Sequence, residues 1–250
     1  MKVGFFEIVK QVLYDVFRHC GPIMKWLKVI YDKLFDNRVK IKRNSIFRDN
    51  ATAVLKAFTD CLDQNHIEYT LAFGSLLGAV REHGFIKHDL DIDVTIWYEN
   101  NVGYIQSSLF DSGFRMIHCF SVDNDLSGRE ETYEKDGVTI DVFYLYKAIS
   151  DHPYCCDFVK FSDSVDWRMS IYKHGGLLPR RIELPWTKER VRTDFESLSL
   201  FIPQNAHEIL QMRYGSDYMT PNPNWENKLK HPYIINWTEK TAVFTVFHDE

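Results

Sequence analysis

The sequence predicts a mixed α/β fold, in which helices flank a sheet and a helical arm precedes it. Helix-like and strand-like patterns alternate after residue 48, as they do in layered α/β proteins. Further along, the Asp136-Gly137 turn between two strand-like segments predicts an antiparallel hairpin in the same sheet. A chain of 250 residues, 45% hydrophobic and 26% charged, has the composition of one soluble folded body with an appendage. We therefore divide the chain into an arm, residues 1–48, and a body, residues 49–250.

The arm is basic and amphipathic. Residues 1–48 carry eleven Lys/Arg and four Asp/Glu, whereas the body carries nineteen against thirty-one. Apolar residues recur at helical spacing over residues 5–18 and again over residues 23–34, with Gly21-Pro22 between them. Such helices either pack on a body or lie on an anionic membrane surface, and the pattern leaves both interpretations open. The net charge of −5 argues against a dedicated nucleic-acid binder.

The elements of the body follow from apolar spacing and from turn residues. In chain order, the pattern predicts a helix from Asp49 or Asn50 to about residue 65, a strand over 67–73, a helix over 76–82, a strand over 91–97, a helix over 101–112, a strand over 115–120 and hairpin strands over 131–135 and 138–146. Beyond Lys147 the pattern weakens. It predicts short strands in an irregular stretch and a helix that Asn205 caps and that ends at Gly215.

Cysteine usage and hydropathy predict a cytoplasmic protein. The five cysteines are odd in number and form no C-x-x-C pair, which indicates reduced thiols. We find no signal-peptide pattern and no apolar run of eighteen residues. The arm adds a candidate peripheral contact with the inner face of the membrane.

Three features predict where the chemistry lies. Gly74-Ser75 follows a strand and opens a helix, where backbone amides approach a phosphate closely. Asp91 and Asp93 lie two apart on a strand, so both carboxylates share one face and suit Mg²⁺ or Mn²⁺. Asp141 lies in an otherwise apolar strand, where a carboxylate is costly unless it is paired or bound to metal.

Each feature also has a plain structural explanation. A Gly-Ser turn often only reverses the chain, alternating aspartates can be the solvated face of an edge strand, and a lone buried acid can be hydrogen-bonded. Their ordered combination favours a phosphoryl-transfer site with one or two metal ions.

The segment over residues 73–93, FGSLLGAVREHGFIKHDLDID, closely resembles the signature of the LicD/fukutin-related phosphotransferases. That signature has a G-[TS]-L-L-G-A-x-R turn and helix, then G-F-I and an acidic run. The segments over 139–143 and 202–219 resemble the second acidic strand and the closing helix of the family. The resemblance covers roughly residues 50–222 and leaves the arm outside.

The resemblance implies a nucleotidyltransferase-type fold and an activity. A phospho-alcohol, such as phosphocholine or a polyol phosphate, passes from a CDP-activated donor to a hydroxyl of a glycan, which is often lipid-linked, and CMP is released. It also implies that Asp91 and Asp93 bind the divalent metal, and that Gly74 and Ser75 face the donor phosphate, with Arg81 neutralising its charge.

The other candidate residues come from the chemistry of such a site. Asp141 either completes the metal shell or takes the proton of the attacking hydroxyl. Lys87 is a candidate for spreading charge on the transferred group. Four further side chains are weaker candidates for assisting the reaction or for binding an anionic acceptor: His83, His88, Arg180 and Arg181. Two other functions remain open, a true nucleotidyltransferase that transfers NMP and a membrane-associated scaffold without activity.

Overall fold

The computed structural model describes residues 22–87, 89–100, 102–222 and 231–247. It shows a mixed α/β protein with a mixed sheet and flanking helices, which confirms the predicted fold class. The helix predicted over residues 5–18 and the candidate His88 lie outside the described residues. The chain divides into two compact units, Met1–Ile46 and Phe47–Glu250.

Five α-helices, one short 3-10 helix (Tyr98–Asn100) and eleven strands make up the described structure. The helices are α1 (Pro22–Gln64), α2 (Phe73–Arg81), α3 (Val102–Asp111), α4 (Trp167–His174) and α5 (Ala206–Tyr214). The strands are β1 (Tyr69–Leu71), β2 (Asp91–Trp97), β3 (Arg115–Val122), β4 (Gly128–Lys135), β5 (Val138–Leu145), β6 (Tyr154–Val159), β7 (Leu178–Glu183), β8 (Arg190–Phe195), β9 (Leu198–Pro203), β10 (Ile234–Asn236) and β11 (Val243–Val246).

Helix α1 is one continuous helix, so the predicted helix start at Asp49 or Asn50 is wrong. Proline is tolerated in the first turn, and residues 23–64 contain no glycine or proline that would break the helix. The Asn50 side chain, which was expected to cap a helix, donates to the Asp136 carbonyl at 2.9 Å instead. No helix in the described part of the chain combines the length and apolar character needed to cross a membrane.

The main sheet has six strands in the order β1-β2-β5-β4-β3-β11. Strands β2 and β5 run parallel, and the other neighbours run antiparallel. The predicted β4–β5 hairpin is confirmed. Asp136 and Gly137 have φ angles of 52° and 77°, as its two-residue turn requires. The strand predicted over 67–73 is shorter than expected, because Phe73 already belongs to α2.

The chain beyond Lys147 forms two smaller sheets and returns to the large one. Strands β10, β7 and β6 form one small sheet, and β8 pairs with β9. Strand β11 then adds the C-terminal segment to the edge of the main sheet beside β3, a position that the sequence did not predict. The four cysteines in the described ranges are buried free thiols.

Helix α5 ends at Gly215 as predicted, but its start differs from the expected capping box. The Asn205 side chain makes no capping bond to the helix backbone. Its amide donates to the Pro185 carbonyl at 2.7 Å and to the Glu208 carboxylate at 3.0 Å. Asn205 therefore ties the helix to the preceding loop.

Two glycines on different helices are expected to respond oppositely to alanine. A Cβ at Gly78 in α2 would lie 2.4 Å from the Gly84 carbonyl oxygen, whereas a Cβ at Gly103 in α3 would meet nothing within 4 Å. We expect Gly78→Ala to lower the free energy of unfolding by about 1–3 kcal/mol. Gly103→Ala, the matched control, should raise it by up to about 1 kcal/mol. Urea unfolding measures both, and a Gly78→Ala variant as stable as the parent would contradict the close approach.

Candidate active site

Helix α2 begins with a strained turn. Phe73 has a φ of 41°, a left-handed conformation that is rare and costly for a bulky residue. Its ring meets those of Phe143 and Trp186 edge to face, at centroid distances of 4.8 and 5.9 Å. The guanidinium of the buried Arg213 lies 5.0 Å from the same ring. Packing on several sides therefore holds Phe73 in this conformation.

The strained turn fixes Asp93 of β2 at two points. The Gly74 amide donates to Asp93 Oδ2 at 3.1 Å, and the Ser75 hydroxyl accepts from the Asp93 amide at 2.9 Å. Both residues that were expected to face a phosphate thus hold the first turn of α2 against β2 and orient the Asp93 carboxylate. Their contact with a donor phosphate stays a prediction.

Asp89 fills the space that a side chain at Gly74 would need. A Cβ at Gly74 would lie 2.3 Å from Asp89 Oδ2, so any larger residue at this position would displace the Asp89 carboxylate. Burial first, and then the neighbouring Asp91, raises the pKa of Asp89 to about 7. Asp89 therefore belongs to the same acidic cluster as the predicted pair.

The structure brings the three predicted acids together. Because β2 and β5 are parallel neighbours, Asp93 lies in register with Asp141, and Asp91 lies two residues earlier on the same side of β2. Burial is the main cause that raises the pKa of Asp93 well above its usual range, followed by the charges of Asp91, Asp141 and Asp89. The Gly74 amide opposes that rise.

The sequence reasoning missed Glu130, Thr132 and His118. Thr132 of β4 donates to Asp141 Oδ1 at 2.5 Å, and its hydroxyl lies 2.9 Å from His118 Nε2. Burial, and then the charges of Asp141, Asp157 and Asp93, raises the pKa of Glu130 well above its usual range. Side chains two residues apart on a strand share a face, so the spacing of Glu130 and Thr132 on β4 is the sequence signal that could have indicated these two residues.

The two basic candidates, Arg81 and Lys87, differ in burial. Arg81 is mostly buried, with Nε bound to Glu82 at 2.8 Å and Nη1 donating to the Tyr218 carbonyl at 3.2 Å. It therefore joins the end of α2 to the segment after α5. Lys87 is exposed in the loop that leads to Asp89. Binding of a phosphate by either residue stays a prediction.

The remaining candidates have structural partners. Arg180 forms a two-pronged ion pair with Asp157, and Arg181 lies 3.3 Å from Glu183 and stacks on Trp237. His83 is exposed, and its carbonyl accepts from the Glu196 amide at 2.7 Å. Assistance to the reaction by His83 and binding of an anionic acceptor by Arg180 and Arg181 stay predictions.

The carboxylate oxygens of the acidic cluster fit a divalent cation that is also bound by the phosphates of a substrate. Within the described ranges, no three His, Cys, Asp or Glu side chains are arranged to hold a metal ion by themselves. Mg²⁺, however, is commonly held by one or two carboxylates together with phosphates and water. Burial, and after it the charge of neighbouring carboxylates, raises the pKa of Asp89, Asp93 and Glu130, and a cation bound among these acids would favour their charged forms.

The main sheet is mixed, and its two parallel strands carry acids in register beside the start of a helix, an arrangement consistent with a nucleotidyltransferase fold. Comparison with known proteins specifies the class further. The profile described as "LicD/FKTN/FKRP, nucleotidyltransferase domain" matches residues 66–205, and the chain belongs to this family.

The individual relatives share low sequence identity with the chain. The chain is 24% identical to human "Ribitol-5-phosphate transferase FKTN" over 189 residues and 23% identical to the mouse protein over 190 residues. These matches cover 75% and 76% of this chain but only 37% of each relative. An uncharacterised protein of Rickettsia typhi, RT0683, is 32% identical over 84 residues, 32% of this chain and 27% of that protein. The chain therefore spans little more than a third of the fukutin relatives.

Proposed function

We propose that this protein is a metal-dependent transferase of a phospho-alcohol. The donor is a CDP-activated alcohol, the acceptor is a hydroxyl of a glycan, and CMP is the leaving group. The acids of β2 and β5 carry this proposal, because Asp91, Asp93 and Asp141 lie on one side of two parallel strands in a member of the LicD/FKTN/FKRP family. The fukutin relatives are named ribitol-5-phosphate transferases, which supports a polyol phosphate as the transferred group.

Asp91 and Asp93 are the residues that would hold Mg²⁺ or Mn²⁺. A divalent cation there offsets the charge of a pyrophosphate and makes CMP a better leaving group. The protein contributes orientation, since the Gly74 amide and the Ser75 hydroxyl fix Asp93 before any substrate arrives. Such preorganisation avoids the cost of reorienting the carboxylate during the reaction.

Asp141 has one of two roles in the proposed reaction. It either completes the set of oxygen ligands beside Asp93 or accepts the proton of the attacking hydroxyl. Both roles need its carboxylate in a fixed orientation next to Asp93, and the strand register and the hydrogen bond from Thr132 supply that orientation.

Product analysis tests the proposal. The protein is incubated with Mn²⁺, a glycan acceptor and in turn CDP-ribitol, CDP-choline, CDP-glycerol and CTP, and the nucleotides and pyrophosphate are separated chromatographically. We expect CMP release from at least one donor, and none from the Asp91→Asn variant. Pyrophosphate release from CTP, without CMP, would favour the nucleotidyltransferase alternative. Absence of both products, with no Mn²⁺-induced rise in melting temperature, would favour the scaffold.

A peripheral cytoplasmic location is part of the proposal. The basic charge of residues 1–48 would draw the protein to anionic lipids that carry an acceptor. We expect the full chain to float with vesicles that contain phosphatidylserine, and the triple variant Lys40→Glu, Lys42→Glu, Arg43→Glu to float less. Equal flotation of the two proteins would remove membrane contact through these residues from the proposal.

A further inference from the structure

Three residues of neighbouring strands form a hydrogen-bonded row across the main sheet. His118 of β3 lies in register with Thr132 of β4, and Thr132 lies in register with Asp141 of β5. The Thr132 hydroxyl donates to Asp141 Oδ1 at 2.5 Å and lies 2.9 Å from His118 Nε2. A hydroxyl has one hydrogen, so His118 Nε2 must carry a proton and donate to Thr132. Hydrogen-bond donation therefore runs in one direction along the row, from His118 to Thr132 and from Thr132 to Asp141.

A β-bulge brings His118 into this row. Met116 pairs with Tyr133, but the next pair is His118 with Thr132, so Ile117 is an extra residue in β3. In a regular antiparallel ladder that starts from the Met116–Tyr133 pair, Ile117 would lie beside Thr132 and no donor would reach the Thr132 hydroxyl. Bulges of this kind often redirect side chains next to active sites. The Ile117 carbonyl accepts from the Phe247 amide at 3.0 Å, which supports the irregular backbone.

The packing around His118 restricts its ring. The ring lies 5.5 Å from that of Phe120 and 5.6 Å from that of Phe244. Thr132 is almost fully buried, so water competes little for its hydroxyl. A restricted imidazole and a buried hydroxyl together fix the rotation of the Asp141 carboxylate, which lies beside Asp93.

We propose that Thr132 and His118 are positioning residues for phospho-alcohol transfer, which hold the Asp141 carboxylate in its reactive orientation through a His118–Thr132–Asp141 hydrogen-bond chain. The proposal rests on the proposed function, because it presupposes that Asp141 acts in the reaction. Outer hydrogen-bond partners of functional carboxylates and metal ligands typically contribute 10- to 100-fold to activity or metal affinity.

Paired substitutions separate positioning from simple packing. Thr132→Val keeps the shape and removes the hydroxyl, and Thr132→Ser keeps the hydroxyl. We expect Thr132→Val to lower kcat for CMP release by about 10- to 100-fold with little change in KM for the donor. Thr132→Ser should stay within about threefold of the parent, since the serine hydroxyl restores the chain. A Thr132→Val variant with the kcat of the parent would overturn the proposal.

Variants at His118 test the other end of the chain. His118→Phe keeps an aromatic ring beside Phe120 and Phe244 and removes the donor, whereas His118→Gln keeps an N–H donor. We expect kcat to fall about tenfold in His118→Phe and to recover in part in His118→Gln. Equal kcat values in the two variants would contradict a donor role for His118.

A spectroscopic measurement tests the His118–Thr132–Asp141 hydrogen-bond chain without requiring enzymatic activity. Long-range ¹H–¹⁵N NMR spectra of the metal-free full chain report the imidazole tautomer, and the His118→Gln spectrum assigns the signal. We expect the Nε2–H tautomer in the parent and loss of that preference in Thr132→Val. An Nδ1–H tautomer of His118 in the parent would overturn the proposed hydrogen-bond chain, because Nε2 could not donate to Thr132.

The outcomes also distinguish the two proposals. If Asp91→Asn keeps full turnover, the proposed function fails whatever the tautomer of His118. If Asp91→Asn loses turnover while Thr132→Val keeps it, the function stands and the positioning role is wrong.

Discussion

Replacing Asp93 with asparagine is expected to lower CMP release by about 10³-fold without destabilising the protein, the scale seen when a preorganised charge-stabilising group is removed. Asparagine keeps the volume of the side chain and retains an oxygen that accepts from the Gly74 amide. It loses the charge that a divalent cation needs. The variant thus separates the chemical role of Asp93 from its structural role.

The expected stability of the Asp93→Asn variant follows from the crowding of the acids. Burial, and then the charges of Asp91, Asp141 and Asp89, raises the pKa of Asp93, so a charged Asp93 is unfavourable in the metal-free protein. The melting temperature of the variant in EDTA should therefore equal or exceed that of the parent. Turnover close to that of the parent would contradict the assigned role of Asp93.

Two further variants place the Asp93 result in context. Asp60→Asn alters an exposed acid of α1 that pairs with Lys56, and it should change neither turnover nor melting temperature. Asp141→Asn should lower the rate strongly, whether Asp141 is a ligand or a base. Its effect on Mn²⁺ affinity, measured by electron paramagnetic resonance, distinguishes those two roles.

Replacing Glu131 with alanine should cost about 3–5 kcal/mol of unfolding free energy, the typical penalty for breaking a buried ion pair. Glu131 of β4 is 0% exposed. Its carboxylate accepts from the Arg129 guanidinium, from the Gln106 amide and from the hydroxyls of Tyr133 and Tyr144. Without Glu131, the buried Arg129 retains Asp125 as a partner but loses its closest buried counter-charge.

Thermal unfolding and urea unfolding both measure the Glu131 effect. For a body of this size we expect a fall in melting temperature of about 10 °C. Glu134→Ala is the matched control, because Glu134 lies on the opposite face of β4 and pairs with the partly exposed Arg115. The control should cost no more than about 1 kcal/mol. A Glu131→Ala cost as small as that of the control would show that the network contributes little to stability.

Local patterns in the sequence predicted the elements on which the site is built. The alternation over residues 91–97 gave β2 within its observed bounds, and Asp136-Gly137 located the hairpin turn. Both signals depend on residues close together in the chain. The resemblance over residues 73–93 identified the family, which the match over residues 66–205 confirms.

Features that depend on distant parts of the chain were not predictable in the same way. Phe73 shows a strand-like pattern, yet packing by Phe143 and Trp186 holds it at the start of a helix. The apolar and polar alternation of β3 gave no sign that Ile117 would be an extra residue. Glu131 resembles any surface acid of a strand until the tyrosines around it are known.

Because of the bulge at Ile117, the number of residues in β3 determines which side chain lies beside Thr132. A deletion inside a strand is usually understood as a defect of folding, but deletion of Cys119, absorbed by loss of the bulge, would place Ile117 instead of His118 beside Thr132 and leave the rest of the strand paired. The bulge also affects sequence alignments of this chain with its relatives. A gap placed one residue away would match His118 to a residue of the opposite face, so homologues need to be aligned by strand register here before shared chemistry is inferred.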